Sequence, residues 1–283
     1  MTVLSGTSDG GSNGGAVTIV HLYPTLMGTY GDGGNIRILV RRLAARRMNA
    51  HLITVGPGEP VPDSADLYVL GGGEDRSQVA ASRELRNSGA LNRAAARGAT
   101  VFAVCAGLQV LGHDFEVSGG ETEPGLGLLD ATTRRRSRHA QGGAPPANAR
   151  NRKDSVWPRA VGEVLAEPLD GSPLLTGYEN HGGGTVLGPA AAPLARVISG
   201  IGNGSGSAAG DGHEGAVQGR ILATYLHGPV LARNPALADR LLELATGSEL
   251  APLEVAYVDQ LRAEREHYVK TGKLSAESVH TRR

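Results

Sequence analysis

The stretch VFAVCAGLQVLG (residues 101–112) decides the fold, because a buried strand in it turns directly into a helix. The run before Cys105 is apolar, and the small residues Ala106 and Gly107 permit a tight turn. A strand–turn–helix places its turn at the carboxyl edge of a parallel sheet, where open α/β folds bind ligands. Cys105, the only cysteine in the 283 residues, occupies this turn.

Short apolar strands alternate with helical patterns on both sides of this stretch. The predicted strands are AVTIVHLY (16–23), HLITV (51–55), DLYVLGGG (66–73) and TVFAV (100–104). Apolar residues at helical spacing occur in residues 36–48, 77–98 and 106–115. The alternation predicts an α/β fold, with an open, mostly parallel sheet that carries helices on both faces.

Changes in composition divide the chain into segments. Residues 1–16 lack the basic and apolar regions of a signal peptide, so they are not expected to be one. They are interpreted as a flexible leader. Residues 17–247 form the main predicted domain. Within it, residues 136–158 are basic and aperiodic, and they are predicted to be a surface insertion. Residues 248–283 are predicted to be a helical tail.

Composition excludes several classes of function. The formal net charge is zero, so the chain is not expected to bind nucleic acid by bulk charge. No apolar run approaches the roughly 18 residues that span a membrane. One cysteine excludes an intrachain disulfide and a cysteine zinc site, and it suits a reducing compartment. We therefore expect a cytoplasmic protein without a bound metal.

Cys105 has the surroundings of a nucleophile. The helix that follows it favours negative charge on the thiol, although a buried structural cysteine is the alternative. His227 in TYLHGP (224–229) follows another predicted strand and would act as a base at the same sheet edge. The glycines of LGGGED (70–75) offer unobstructed backbone N–H groups for an oxyanion. Taken singly, His227 could be a core histidine and the glycines a simple turn.

Together these motifs resemble the class I, triad-type glutamine amidotransferase domain, and within it the cobyric-acid-synthase-like branch. Further segments resemble the glutaminase subunits of cell-wall amidating synthases in that branch. These segments are YPTLMGTYGDGGN (23–35), PDSADLYVLGGGED (62–75), GYENHGGGTVLG (177–188), GNGSGSAAGDGHEG (202–215) and TYLHGPVLARNPALADRLLELA (224–245). The resemblance covers residues 17–247 apart from the insertion.

The resemblance implies that this chain hydrolyses L-glutamine. Cys105 would attack the carboxamide, His227 would act as general base and acid, and the backbone of Gly72, Gly73 and Ala106 would hold the oxyanion. The chain itself would need no cofactor. A Mur-ligase-like synthetase subunit, as the partner in a heterodimer, would use ATP and Mg to amidate the D-glutamate α-carboxyl of lipid II with the released ammonia.

The resemblance also implies substrate-binding residues. Arg159 in RAVGEV matches the arginine that anchors the glutamine α-carboxylate, and Gln109 is a further candidate for substrate contact. The insertion leaves other arginines open as the anchor, and Arg159 could instead be a solvated loop residue. The other arginines are Arg134, Arg135, Arg136 and Arg138. Gln109 could be a polar helix residue at the sheet rim.

The residue two positions after His227 departs from the wider class. Class I enzymes usually have His-x-Glu there, but this chain has Pro229. The resemblance implies that the partner subunit supplies the orienting carboxylate, although Asp239 or Glu254 of this chain is an alternative. Two polar residues of TYGDGGN, Asp32 and Asn35, are interpreted as helix caps. His181 in ENHGGG is interpreted as a structural loop residue.

Two other functions remain open on the sequence. A complete cobyrinate-type amidotransferase would carry its ATP-binding domain in the same chain, but no G-x-x-x-x-G-K-[ST] motif occurs here. A non-catalytic binding module could use the same fold. The presence of both Cys105 and His227 argues against that module.

Overall fold

The computed structural model describes residues 15–136, 159–204, 212–253 and 255–272. The strands are β1 (Val17–Leu22), β2 (Ala50–Val55), β3 (Leu67–Leu70), β4 (Thr100–Val104), β5 (Asp114–Glu116), β6 (Thr122–Pro124), β7 (Ala131–Arg135), β8 (Ala160–Pro168), β9 (Leu175–His181), β10 (Gly183–Leu187), β11 (Ala195–Ser199), β12 (His213–Glu214), β13 (Ala216–Gln218) and β14 (Ile221–Thr224). The helices are α1 (Gly33–Ala45), α2 (Asp75–Ser88), α3 (Ala90–Ala96), α4 (Ala106–Leu111), α5 (Val230–Arg233), α6 (Pro235–Thr246) and α7 (Ala256–Thr271).

A six-stranded sheet forms the centre of the molecule. Its strand order is β13-β14-β4-β3-β1-β2, and every neighbouring pair is parallel except β13 with β14. Every residue of β3 and β4 is buried, because strands at the centre of such a sheet are covered on both faces. The predicted α/β fold with a mostly parallel sheet is confirmed.

The helices cover this sheet with the apolar sides that their spacing predicts. α1 buries Ile36, Leu39 and Leu43, and it packs against α5 and α6. α6 buries Leu237, Leu241 and other apolar residues at the same spacing. The core therefore lies between the central sheet and the helices.

Two further four-stranded sheets are formed by β5 to β12, which lie between β4 and β13 in the chain, and their pairing was not predicted. Their orders are β10-β7-β5-β6 and β12-β11-β8-β9. The helix predicted for residues 106–115 ends at Leu111, because Gly112 is extended and Asp114–Glu116 pairs with β6 and β7. β9 contacts the edge of the central sheet, because Tyr178 of β9 forms a bridge with His227, just beyond the end of β14. The second half of the chain thus forms one wall of the site described below.

The C-terminal helix α7 packs against α5, β8 and β9. Glu163 on β8 accepts hydrogen bonds from Arg233 and from Arg265 of α7. In the part of the chain that the structure describes, no helix is long and apolar enough to cross a membrane. Except for Arg136, the predicted insertion at 136–158 lies outside the described residues.

Candidate active site

Cys105 occupies a sharp turn between β4 and α4. Its backbone is left-handed (φ 52°, ψ −108°), which L-residues rarely adopt and which is concentrated at functional sites. Its N–H donates to the carbonyl of Thr224, 2.7 Å away, at the end of β14. Gly107 allows α4 to approach β3, since a Cβ there would lie 2.7 Å from the Leu70 carbonyl oxygen. The turn is therefore fixed by the two strands beside β4.

His227 lies beyond the end of β14 and is almost fully buried, with 1% of its surface exposed. Its backbone exchanges two hydrogen bonds with Tyr178 of β9, at 2.8 and 3.2 Å. The imidazole is thus positioned from the neighbouring sheet, at the carboxyl edge where Cys105 also lies. The strand-end placement predicted for both residues agrees with this arrangement.

Asp32 supplies a carboxylate to His227 from within the chain. Its Oδ1 lies 3.2 Å from Nδ1 of His227, and its Oδ2 accepts the N–H of Gly72 at 2.7 Å. Asp32 precedes α1 but makes no side-chain capping bond to that helix. The expectation that a partner subunit supplies this carboxylate is therefore wrong, and so is the interpretation of Asp32 as a cap.

The other carboxylates considered from the sequence have different positions. Asp239 pairs with Arg42 of α1 and with Arg46, which follows that helix, at 2.5 and 2.9 Å. Glu254 lies outside the described residues. Asn35, the second predicted cap, instead accepts the N–H of Leu231 and joins α1 to α5.

Cys105, His227 and Asp32 surround Gly72. A Cβ on this glycine would lie 2.8 Å from Cε1 of His227, 3.2 Å from Oδ2 of Asp32 and 3.4 Å from Cβ of Cys105. Any side chain at this position would therefore displace one of the three. Gly72, which the sequence selected as an oxyanion donor, is the residue whose missing side chain leaves room for Cys105, His227 and Asp32 to approach one another.

The N–H of Gly72 is already donated to Asp32, so it is not free to bind an oxyanion. The prediction is corrected for this residue. The other two predicted donors, Gly73 and Ala106, line the cavity described below, and their N–H groups donate to no described residue. They leave two backbone donors for a developing negative charge.

The surroundings of His227 favour its charged form. Burial opposes the charge, but the contacts with Asp32 and Cys105 outweigh burial and raise the pKa of the ring to about 10. No described atom meets hydrogen-bond geometry at Nε2, the ring nitrogen not used by Asp32. With Nδ1 held by Asp32, Nε2 is the nitrogen available to exchange protons with a bound substrate.

A cavity of about 310 Å³ opens beside the Cys105 turn. The residues that line it include Cys105, His227, Gly73, Ala106, Gln109, Arg159, Arg135, Glu74, Tyr30, Asn180 and His181. Its wall carries both arginines and carboxylates, which suits the two charges of a free amino acid. The predicted residues other than Gly72 are thus brought to one cavity.

Of the arginines considered from the sequence, Arg159 and Arg135 line this cavity. Arg159 donates through Nε and Nη2 to the side chain and the carbonyl of Asn180, at 3.0 and 2.9 Å. Arg135 donates through Nη1 to the carbonyl of Ser118 at 2.7 Å. Arg134 is ion-paired with Asp114, and Arg138 lies outside the described residues.

Gln109 reaches the cavity from α4, but its amide also belongs to a buried network. Its Oε1 accepts from Gln78 at 2.8 Å, and its Nε2 donates to the hydroxyl of Tyr225 at 3.1 Å. Tyr225 in turn contacts the hydroxyl of Thr185 at 2.6 Å. This network fixes the amide at the cavity wall, where one N–H of Gln109 remains for a ligand.

His181 is a buried strand residue rather than the loop residue that was expected. It ends β9, is 2% exposed and stacks on the ring of Tyr225 at 3.9 Å. Its Nδ1 lies 2.9 Å from the carbonyl oxygen of Gly183. The contacts support the structural interpretation of this histidine.

Three residues of the site were not predicted from the sequence: Asp32 as a carboxylate partner, Tyr30 and Asn180. Tyr30 and Asp32 share the motif TYGDGGN, whose density of glycines was the available signal. Asn180 stands in ENHGGG, where the sequence drew attention to the neighbouring His181.

Comparisons with known proteins agree with this geometry. A family model for the CobB/CobQ-like glutamine amidotransferase domain matches residues 18–235. The chain is 31% identical over 245 residues to the GatD subunit of the glutamine-hydrolysing lipid II isoglutaminyl synthase of Staphylococcus aureus, covering 86% of this chain and 90% of that subunit. A cobyric acid synthase of Sphingopyxis alaskensis is 30% identical over 241 residues, covering 81% of this chain but 42% of that protein.

One solved structure, described as a glutamine amidotransferase, superposes on this chain with a TM-score of 0.50 at 22% identity. The match covers 80% of this chain and 98% of the other. At this identity the likeness supports the fold alone.

Proposed function

Because this chain belongs to the CobB/CobQ-like glutamine amidotransferase family, we propose that it releases ammonia from L-glutamine through a Cys105 thioester. The observation that carries the proposal is the meeting of Cys105, His227 and Asp32 around the single glycine Gly72. A nucleophile, a base and an orienting carboxylate at one sheet edge are the elements of a hydrolytic triad.

The proton transfers follow from this arrangement. The Cys105 thiolate attacks the γ-carbonyl carbon of glutamine, and the N–H groups of Gly73 and Ala106 stabilise the oxyanion. His227 gives a proton from Nε2 to the departing nitrogen, so ammonia leaves and a glutamyl thioester remains. The neutral imidazole then takes a proton from water, which attacks the thioester and releases glutamate. Asp32 holds Nδ1 throughout.

The ammonia is proposed to pass to a Mur-ligase-like synthetase subunit. That subunit would use ATP and Mg to activate the D-glutamate α-carboxyl of lipid II, and ammonia would convert it to D-isoglutamine during peptidoglycan synthesis. The similarity to a GatD subunit, which this chain matches over nearly its whole length, supports this destination. Because the proposed partner consumes ATP, the proposal locates the reaction in the cytoplasm.

A cobyrinate-type amidotransferase is the second candidate, because the matching family model is CobB/CobQ-like. However, the chain spans less than half of the cobyric acid synthase that it matches. A separate synthetase subunit would be needed for that function too. The non-catalytic module has less support, because a binding protein would not need an in-chain triad.

The proposal can be tested with Cys105→Ser in a complex with the synthetase subunit. We expect glutamine-dependent amidation of lipid II to be lost, while amidation from added ammonium salt is kept. Mass spectrometry of the stem peptide measures both reactions. Wild-type glutamine use by Cys105→Ser would refute the nucleophile, and ammonia-dependent amidation of a cobyrinate instead of lipid II would favour the second candidate.

A further inference from the structure

A second groove, of about 630 Å³, opens beside the turn that carries Asp32. Four glycines of that turn and of the start of α1 line it, together with His21 from β1 and Arg37 from α1. Tyr30, in the same turn, lines the catalytic cavity instead, and no lining residue is shared between the cavity and the groove. The groove is therefore distinct from the active site, although one turn borders both.

His21 is a polar side chain buried at this groove without a hydrogen-bond partner. It is 8% exposed, and neither of its ring nitrogens bonds to a described residue. Burial lowers the pKa of the ring, although the charge of Asp32 opposes the shift. A neutral imidazole still carries one N–H donor, and a buried donor is normally satisfied. The ring thus offers an unused donor to a molecule in the groove.

The first turn of α1 also presents unused donors here. The side chain of Asp32 does not cap the helix, and the N–H groups of Gly33 and Gly34 donate to no described residue. Free N–H groups and the helix dipole favour an anion at this end of a helix. Arg37, on the same helix, is exposed and pairs with no described carboxylate. These groups all favour negative charge in the groove.

The packing of the chain does not require a glycine at Gly33. Its φ is not left-handed, and an added Cβ would meet only Cε1 of His21, at 3.8 Å. Gly34 differs, because a Cβ there would lie 2.2 Å from Cγ of Pro229. Alanine favours a helix over glycine, so Gly33 weakens α1 without a packing gain. Its missing side chain instead lets a group in the groove approach the backbone closely.

The carboxylate of Asp32 does not stand against an anion at this place. Asp32 is 1% exposed and is not among the residues that line the groove. Its two oxygens face the N–H of Gly72 and the imidazole of His227, which these contacts hold in the charged form. No described residue that lines the groove is acidic. The groove therefore carries a net positive charge through Arg37.

We propose that this groove binds a phosphate group, either as free phosphate or in an organic ester. The N–H groups of Gly33 and Gly34 donate to its oxygens, and so does the ring N–H of His21. Arg37 supplies the positive charge. A phosphate has enough acceptor oxygens for all of these donors, whereas a carboxylate has only two. The inference goes beyond the proposed glutaminase function, because the groove shares no residue with the catalytic cavity.

Gly33→Ala tests the site without disturbing the fold. The added methyl group would hold phosphate away from the helix, so Kd for orthophosphate should rise roughly 10- to 100-fold. Thermal stability should be equal or higher, since alanine favours the helix. Gly162→Ala is the control, because nothing lies within 4 Å of its added Cβ and it is remote from the groove in the chain. Calorimetric titration of the full chain measures Kd, and equal values in the two variants would overturn the proposal.

A pair of arginine variants separates a built site from attraction by bulk charge. Arg37→Ala should also raise Kd for orthophosphate roughly 10- to 100-fold. Arg41, one turn further along α1, is equally exposed but does not line the groove. Arg41→Ala removes the same charge and should leave Kd nearly unchanged. Equal weakening by the two variants would refute the site.

Two further titrations fix the place and the source of the phosphate. In the Cys105→Ser chain, which does not depend on turnover, saturating L-glutamine should leave the Kd for orthophosphate unchanged. Displacement by L-glutamine would place phosphate in the catalytic cavity and overturn the proposal, as would absence of binding at millimolar concentrations. Adenosine monophosphate that binds more tightly than orthophosphate would identify an organic ester, whose apolar part contacts Ile36 and Leu52 in the groove. Equal or weaker binding would identify free phosphate.

Discussion

Asp32 uses both of its carboxylate oxygens within the active site. One oxygen accepts the N–H of Gly72, and the other faces the imidazole of His227. The Gly72 bond fixes the carboxylate independently of the ring, so the carboxylate can select the tautomer and direction of the imidazole. A carboxylate of this kind supports a base without taking its proton.

Removal of the Asp32 charge should therefore make His227 a poor base, although the imidazole itself stays in place. Asp32→Asn keeps the size of the side chain and an acceptor for Gly72, but its amide can stabilise the wrong tautomer of His227. We expect kcat for glutamine hydrolysis to fall by roughly 10⁴-fold, as in hydrolase triads. The measurement is steady-state release of ammonia by the purified chain.

The matched control is Asp239→Asn, which removes a carboxylate held by Arg42 and Arg46 instead of by the imidazole. It should lower thermal stability and leave kcat unchanged. A kcat for Asp32→Asn within tenfold of the wild-type value would show that Asp32 does not orient His227.

The charge on His227 gives a prediction for pH. Burial lowers the pKa of the ring, but the contacts with Asp32 and Cys105 raise it to about 10, above the ordinary value of 6.5. Because the folded-state pKa is the higher one, the ring's contribution to stability is complete below about pH 6.5 and is lost as pH rises through about 10. NMR titration of the ring protons should show the midpoint near 10, and a lower midpoint in Asp32→Asn. An unchanged midpoint in that variant would contradict the assignment.

At the scale of single residues, the sequence predicts the positions of Cys105 and His227 but misses that of Asp32, and the reason is physical. Cys105 and His227 follow apolar strands, so local pattern places both at one sheet edge. Asp32 is 195 positions from its histidine, and its side chain can serve either a helix end or a distant ring. Only the packing of α1 against the central sheet decides between them. The same packing commits the N–H of Gly72 to Asp32.

The contact between α4 and the end of β3 sets the position of Cys105, the proposed nucleophile. Gly107 lets the short helix approach so closely that an added Cβ would lie 2.7 and 2.8 Å from the carbonyl oxygens of Leu70 and Gly71. These are backbone atoms at the end of the strand that leads to the proposed oxyanion donor Gly73, so they cannot rotate away.

Gly107→Ala should therefore push α4 away from β3. We expect a loss of about 1–3 kcal/mol in the free energy of unfolding, together with a lower kcat, because Cys105 and the N–H of Ala106 move with the helix. Denaturant melts and ammonia release measure the two effects. Gly162→Ala in β8 is the control, since nothing lies within 4 Å of its added Cβ. Equal stability of the two variants would contradict the close packing.

The elements also show where the local pattern stops being informative. β4 was predicted with its observed bounds, because a fully buried strand is a continuous apolar run. β5, β6 and β7 were not predicted, because short strands at the rim of a molecule carry few apolar residues and depend on distant partners for pairing. The predicted extension of α4 to residue 115 failed at Gly112 for the same reason.

At the scale of the whole molecule, the three residues of the proposed triad, Cys105, His227 and Asp32, come from one chain. Under the proposed function, a synthetase subunit would therefore not be needed to orient His227. We expect the purified chain to hydrolyse glutamine with a kcat within about tenfold of that of the complex. An increase above 10³-fold on adding the subunit, with KM unchanged, would show that the partner completes the catalytic groups.

Cys105 is the only thiol in these 283 residues, and this has a consequence for oxidative stress. Peroxide converts a reactive thiolate to a sulfenic acid, which many proteins protect by forming a disulfide with a second cysteine of their own. This chain has no second cysteine to do so. Its recovery therefore depends on a small thiol or on another protein, and prolonged exposure would carry the sulfur on to the irreversible sulfinic and sulfonic acids.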